Sequence, residues 1–239
     1  MKKITTIIVS MLILSACGNN AGNLKFKTTK KAAVWSNSLV EFRTDMDSND
    51  KRNDLPTFQA SVMLNGKKEE LKQDNTALGY GASAPQGMSG LYAPPRGATS
   101  AQILSMTPEQ LVVHLHYDKW NILETGVALD KQVTLYSGNP VMKVIDYYIG
   151  DFDLLNVSAG LPIGYNGSVS KIENGYSILY NNGISAIIIM PEVENMTVDK
   201  GSGNVFLKKQ IMPNQPLYYY VGLSEQGTDF LLEQLAKIM

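Results

Sequence analysis

His114 and His116 are the only histidines in the sequence, and they stand two apart within Leu111-Val112-Val113-His114-Leu115-His116-Tyr117. Successive side chains of an extended strand point to opposite faces. Both imidazoles therefore share one face, and Leu111, Val113 and Leu115 share the other. The apolar face belongs against a core, which sends the histidines to the opposite side, where a groove would hold a ligand. The pair suits general acid–base work or the binding of a sugar. The plainer alternative is a solvated sheet face carrying two ordinary imidazoles.

A second cluster surrounds Trp35. Read as one strand over 33–43, the chain places Trp35, Asn37, Leu39, Glu41 and Arg43 on a common face. Arg43 offers a planar fork that matches a uronate carboxylate or a sugar diol, Glu41 lies beside it, and the Trp35 indole could stack on a pyranose ring. An edge-strand ion pair next to a core tryptophan explains the same residues. Trp120, in Tyr117-Asp118-Lys119-Trp120, is open to the same two readings, as sugar platform or as a lid on the core. The stretch 78–97 is rich in Gly and Pro and carries Tyr80 and Tyr92. Long loops in compact domains are commonly functional, so these tyrosines join the candidate substrate-binding set.

Other chemistries find no support. Asp45-Met46-Asp47-Ser48-Asn49-Asp50 starts like a calcium loop, but Asp50 and Pro56 stand where an EF-hand needs Gly and a bidentate Glu. There is no glycine cluster followed by Lys-Ser/Thr, no paired cysteines, no His-x-x-x-His and no Gly-x-Ser-x-Gly. The expectation is a protein without a metal site or cofactor.

The elements that must position these residues are strands. Short runs rich in Val, Ile, Leu, Tyr and Thr alternate with turn residues, for example over 58–64, 110–117, 122–136, 141–149, 184–190 and 217–223. Asn65-Gly66, Asn174-Gly175 and Asn181-Asn182-Gly183 tolerate the positive φ of tight hairpins. Near the C-terminus Thr228 and Asp229 could cap a helix in which Phe230, Leu231, Leu235 and Ile238 recur at helical spacing. An all-β antiparallel protein with one short C-terminal helix follows.

The N-terminus has Lys2 and Lys3, an apolar run from Ile4 to Leu14, and Leu14-Ser15-Ala16-Cys17, which is a lipobox. We read 1–16 as a lipoprotein signal peptide, 17–31 as the lipidated Cys17 with a flexible tether, and 32–239 as a single β-sandwich domain. Loss of Lys2 and Lys3 leaves 19 basic against 22 acidic side chains, a net charge of −3. That balance argues against a nucleic-acid partner. Membrane contact is expected through the N-terminal lipid, which places the protein in the cell envelope. With Gly18 after the cysteine, outer-membrane residence is expected if the host has two membranes.

Several segments together resemble the bacterial domain-of-unknown-function 4861 family, exported proteins of bacteria that digest plant and algal glycans. They are Trp35-Ser36-Asn37 with Phe42-Arg43, Tyr117-Asp118-Lys119-Trp120, Val133-Thr134-Leu135-Tyr136-Ser137-Gly138, Ala159-Gly160-Leu161-Pro162 and Pro213-Asn214-Gln215-Pro216-Leu217-Tyr218-Tyr219-Tyr220-Val221-Gly222. The resemblance implies a two-sheet sandwich similar to the galactose-mutarotase supersandwich and a place in glycan use. The expected role is a lipid-anchored carbohydrate-binding or accessory protein of a glycan-utilisation system. The alternatives are a carbohydrate-active lyase, hydrolase or epimerase with His114 or His116 as acid/base, and a structural envelope lipoprotein.

Overall fold

The computed structural model describes residues 23–46, 58–64, 67–71, 78–86, 97–122, 124–164 and 166–239. Cys17, the segment 1–16 read as a signal peptide, Tyr92 and the acidic run from Asp47 to Asp50 lie outside them. The strands, in chain order, begin with β1 (Lys25–Thr28), β2 (Ala32–Ser36), β3 (Val40–Asp45), β4 (Phe58–Leu64) and β5 (Lys67–Glu70). Next come β6 (Ser83–Pro85), β7 (Ser100–Met106), β8 (Gln110–Ile122), β9 (Thr125–Tyr136) and β10 (Val141–Gly150). The series closes with β11 (Leu155–Pro162), β12 (Ser168–Ile172), β13 (Gly175–Leu179), β14 (Ser185–Ile189), β15 (Asn195–Asp199), β16 (Asn204–Ile211), β17 (Pro216–Ser224) and the helix α1 (Gly227–Ala236).

The fold is an all-β sandwich. One layer is an eight-stranded sheet in the order β12-β13-β14-β17-β10-β9-β8-β7. The other layer is divided in two: β1 to β5 in chain order, and β15-β16-β11-β6. Both smaller sheets sit on the same face of the large one. Thr44 of β3 meets Tyr117 of β8 through their hydroxyls at 3.2 Å, and Ser83 of β6 bonds to Asp146 of β10. Alternation along the large sheet explains this face. Leu111, Val113, Leu115 and Tyr117, Leu129 and Val133, Met142 and Val144, and Leu217, Tyr219 and Val221 are all buried there. Each such side chain taken from water contributes on the order of 1.5–3 kcal/mol.

The helix packs on the opposite face of the large sheet. Leu231 and Leu235 meet Val141, Ile187, Ile189 and Tyr220 in a second, smaller apolar cluster. In the tyrosine run of β17 the middle ring, Tyr219, is buried in the sandwich, Tyr220 is covered by α1, and Tyr218 remains 39% exposed. Thr228 and Asp229 do not cap the helix as the sequence suggested. It starts at Gly227, whose φ of +90° turns the chain out of β17, and no side chain caps it; Asp229 instead falls in the first turn, where a carboxylate favours the dipole.

Two expectations about the N-terminal part are corrected. The tether assigned to 17–31 contains β1, which pairs antiparallel with β2 from Lys25↔Ser36 to Thr28↔Ala33. The single strand expected over 33–43 is a hairpin. Asn37 Oδ1 accepts from the amides of Leu39 at 2.8 Å and Val40 at 3.0 Å, an Asx turn that reverses the chain. Its amide nitrogen donates to the carbonyls of Tyr136 at 2.8 Å and Asn139 at 2.7 Å, so the same side chain ties this sheet to the β9–β10 turn.

Candidate functional site

The face of the large sheet that α1 leaves uncovered carries the candidate chemistry. Cross-strand register sets it out in rows. Ser100, His116, Asp130, Tyr147 and Pro216 are successive partners across β7, β8, β9, β10 and β17, and Gln102, His114, Gln132, Ile145 and Tyr218 form the next row. Both histidines are thus on the side facing away from the core, as the alternation at 111–117 required.

Asp130 is the hub. Its Oδ1 lies 2.6 Å from His116 Nδ1 and 3.2 Å from His114 Nε2. A carboxylate only accepts, so these contacts place a proton on each of those ring nitrogens. The far nitrogen of His116 is 3.3 Å from Asp118 Oδ1, and the far nitrogen of His114 is 3.5 Å from the Gln102 amide. One carboxylate therefore orients two imidazoles. The cluster stays open to water, with side-chain exposures of 24% for His114, 35% for His116 and 31% for Asp130.

Beside the hub lies an open depression of about 350 Å³ lined by His114, Asp130, Gln132, Tyr147, Ile149 and Asn214. Asn214 reaches it from the turn between β16 and β17. There the backbone takes a φ of +60°, a conformation that non-glycine residues rarely adopt outside Asn and Asp. The turn is fixed by Gln215 N to Met212 O at 3.1 Å, by Asn214 N to Tyr148 O at 2.9 Å, and by Met212 N to Gln215 Oε1 at 2.9 Å. The lining offers one carboxylate, two primary amides, one imidazole and one phenol ring. Among the described residues no group of three or more His, Cys, Asp or Glu is arranged to hold a metal ion.

The Trp35 constellation does not form. The turn at Asn37 changes the phase of the strand, so Trp35 packs inward on Phe42, with ring centroids 6.3 Å apart, while Glu41 and Arg43 point out of the opposite face. Arg43 pairs with Asp45 at 3.3 Å and Glu41 with Lys68 at 2.7 Å. Because Thr44 faces Tyr117, its neighbour Arg43 lies on the outside of the second layer. The histidines lie on the outside of the first, and the two do not converge. Trp120 follows a register shift in β8 and packs half-buried against the core, edge-on to Tyr148 at 6.4 Å. Tyr80 is fully buried, edge-on to Tyr180 at 6.3 Å, and burial pushes its phenol well above the ordinary range. The first part of the glycine-rich stretch forms β6 and joins the core.

Asp130, Gln132, Tyr147 and Asn214 were not anticipated from the sequence. Alternation in Val127-Ala128-Leu129-Asp130-Lys131-Gln132-Val133 does carry the signal, because Leu129 and Val133 fix the inward phase. What obscured it is Lys131, a charged residue at an inward position. Lys131 is 1% exposed and Asp146 is fully buried. The Lys131 ammonium lies 2.6 Å from Asp146 Oδ1 and 2.8 Å from Oδ2, 2.6 Å from the Tyr219 hydroxyl and 3.3 Å from the Gly81 carbonyl. Desolvation lowers the lysine's pKa, and the Asp146 charge opposes that shift.

No protein-family model matches the chain, and no curated protein matches it. Among solved structures, the heparan sulfate lyase HepC from Pedobacter heparinus superposes with a TM-score of 0.52 at 12% identity, over 84% of this chain and 36% of that chain. A provisionally assigned kojibiose phosphorylase from the human microbiome gives a TM-score of 0.45 at 7% identity, over 90% of this chain and 35% of its own. The chain thus spans about a third of the length of each protein, and its likeness to the lyase is one of fold.

Proposed function

We propose that this protein is a carbohydrate-binding protein of the cell envelope, held to the membrane by a lipid on Cys17, with its glycan site at the His114–Asp130–Tyr147 face. The observation that carries the reading is the lining of the depression. Carboxylate and amide side chains supply paired acceptors and donors that suit adjacent sugar hydroxyls, and a tyrosine beside them supplies an apolar ring face. The backbone of that lining is regular sheet and one fixed turn, so little ordering is needed on binding. The fold neighbour from Pedobacter heparinus is a glycan-degrading enzyme, which supports the same class of ligand. The resemblance to exported glycan-use proteins points the same way.

The test is a glycan array with the mature protein, followed by calorimetry on the best ligand. Asp130→Ala and Tyr147→Ala are expected to weaken binding at least about tenfold, within the range of interface hot spots. Binding unchanged in both variants would remove the site. Asp130 holding two imidazoles also suits an acid–base pair, so product formation should be followed by reducing-end and unsaturated-product assays. Turnover lost in His114→Ala or His116→Ala with binding retained would make the protein an enzyme. Intact-mass analysis of the membrane fraction tests the anchor. An acylated N-terminal Cys17 is expected, and a soluble unmodified protein would contradict it.

A further inference from the structure

We infer that the depression selects uncharged, hydroxyl-rich sugar units and discriminates against uronates and sulfated sugars. This rests on the proposed glycan site and specifies its substrate class.

The charge around the depression is the reason. Of its six lining residues only Asp130 is a carboxylate, and none is Lys or Arg. The wider cluster contains two carboxylates, Asp118 and Asp130, and two imidazoles, His114 and His116. With both rings protonated these four groups sum to zero, and with neither protonated they sum to −2. No protonation state of the imidazoles gives the cluster a net positive charge. Asp130 would meet an anionic substituent at close range, where like charges repel strongly even at an intermediate dielectric.

Among the described residues, two lysines of this face lie outside the lining: Lys119, whose chain runs over Gly126 of β9, and Lys143. Lys143 lies one row beyond Gln132, since its partner across β9 is Thr134, and its ammonium is spent over the Tyr218 ring, 5.5 Å from the centroid. Arg43, the guanidinium that the sequence suggested for a uronate, is on the far side of the sandwich and is paired with Asp45. The polar groups that do line the site, Gln132 and Asn214, are neutral amides that both donate and accept, as a hydroxyl does. The lyase of similar fold acts on a sulfated polyanion. The inference therefore separates this site's ligand from that protein's substrate although the two share a sandwich.

Matched pairs of oligosaccharides test it: neutral galactan against polygalacturonate fragments, and neutral galactan against the same chain carrying sulfate esters. Binding is measured by calorimetry at about 10 mM ionic strength, where the Debye length of about 30 Å leaves repulsion unscreened. The neutral member of at least one pair should bind at least about tenfold more tightly than any acidic chain. Asp130→Asn should narrow that gap by improving acidic binding, a response that a merely structural role for Asp130 would not give. Acidic chains bound as tightly as neutral ones, or more tightly, would overturn the inference and leave the glycan site standing. Binding of neither class would overturn both.

Discussion

The ammonium of Lys131 lies 2.6 Å from the carboxylate of Asp146, directly across the β9–β10 ladder and sealed between the two layers of the sandwich. Tyr219 completes the group, with its hydroxyl 2.8 Å from Asp146 Oδ2. Such a pair contributes little net stability, because both ions have lost their hydration. Removing one partner strands the other. Asp146→Ala should therefore destabilise the fold by about 3–5 kcal/mol, whereas Lys131→Met with Asp146→Leu should recover most of that loss. Urea denaturation of the two variants measures the difference. A double variant no more stable than Asp146→Ala would show that the pair is needed for more than charge compensation.

Asn37 joins the N-terminal sheet to the large one, as the Thr44–Tyr117 contact also does. Its four hydrogen bonds run to the amides of Leu39 and Val40 and to the carbonyls of Tyr136 and Asn139. At about 1 kcal/mol net each, Asn37→Ala should lower stability by roughly 4 kcal/mol. Asn37→Asp keeps the Asx turn but sets a carboxylate against two carbonyl oxygens, so it should be at least as damaging as alanine near neutral pH. Chemical denaturation at pH 7 checks both, and an Asp variant as stable as the wild type would refute the assigned contacts.

These two sites also show what the sequence could and could not disclose. Alternation over 111–117 fixed the outward direction of His114 and His116 because every inward position there is aliphatic or aromatic. At 33–43 the same reasoning failed, since Asn37 supplies its turn from a side chain and leaves no Gly or Pro as punctuation. Everything placed by counting past Asn37 landed on the wrong face, including Glu41 and Arg43. In β9 the obstacle was Lys131, whose inward position makes sense only beside Asp146, 15 residues away. Asn214 joins the depression through the β16–β17 turn, a tertiary relation that no local pattern encodes.

Gly222 of β17 lies under Leu231 of α1. A methyl group there would lie 2.8 Å from Val141 Cγ2 and 3.1 Å from Leu231 Cδ2, so the Val141 side chain would have to move and Leu231 of α1 to give by a few tenths of an ångström. Gly222→Ala should cost about 1–3 kcal/mol, the usual penalty for overpacking. It should also raise hydrogen exchange in α1 more than in β8 or β9. Uniform protection across the chain would argue against local displacement of the helix.

Alkaline pH should unfold the protein through its buried tyrosines. Tyr80, Tyr117, Tyr148, Tyr180 and Tyr219 all have phenols raised above their ordinary range, in each case chiefly by desolvation. A group whose folded-state pKa is raised holds its proton in the native state at pH values where the unfolded chain has lost it. The native state then binds more protons, and stability falls as pH rises. Below about pH 10, the ordinary tyrosine value, these phenols are protonated in both states and contribute no slope. Above it each one favours unfolding, so the thermal midpoint should decline steeply from about pH 10 upward. Lys131 acts with the opposite sign, because its lowered pKa lets the unfolded chain bind more protons just below the ordinary lysine range. One lysine is opposed by five tyrosines, and the decline should prevail. Absorbance near 295 nm, followed together with circular dichroism, is the direct measurement. The tyrosinate of these five buried rings should appear in one step with unfolding. Gradual ionisation of all the tyrosines in a chain that stays folded would contradict the burial of this set.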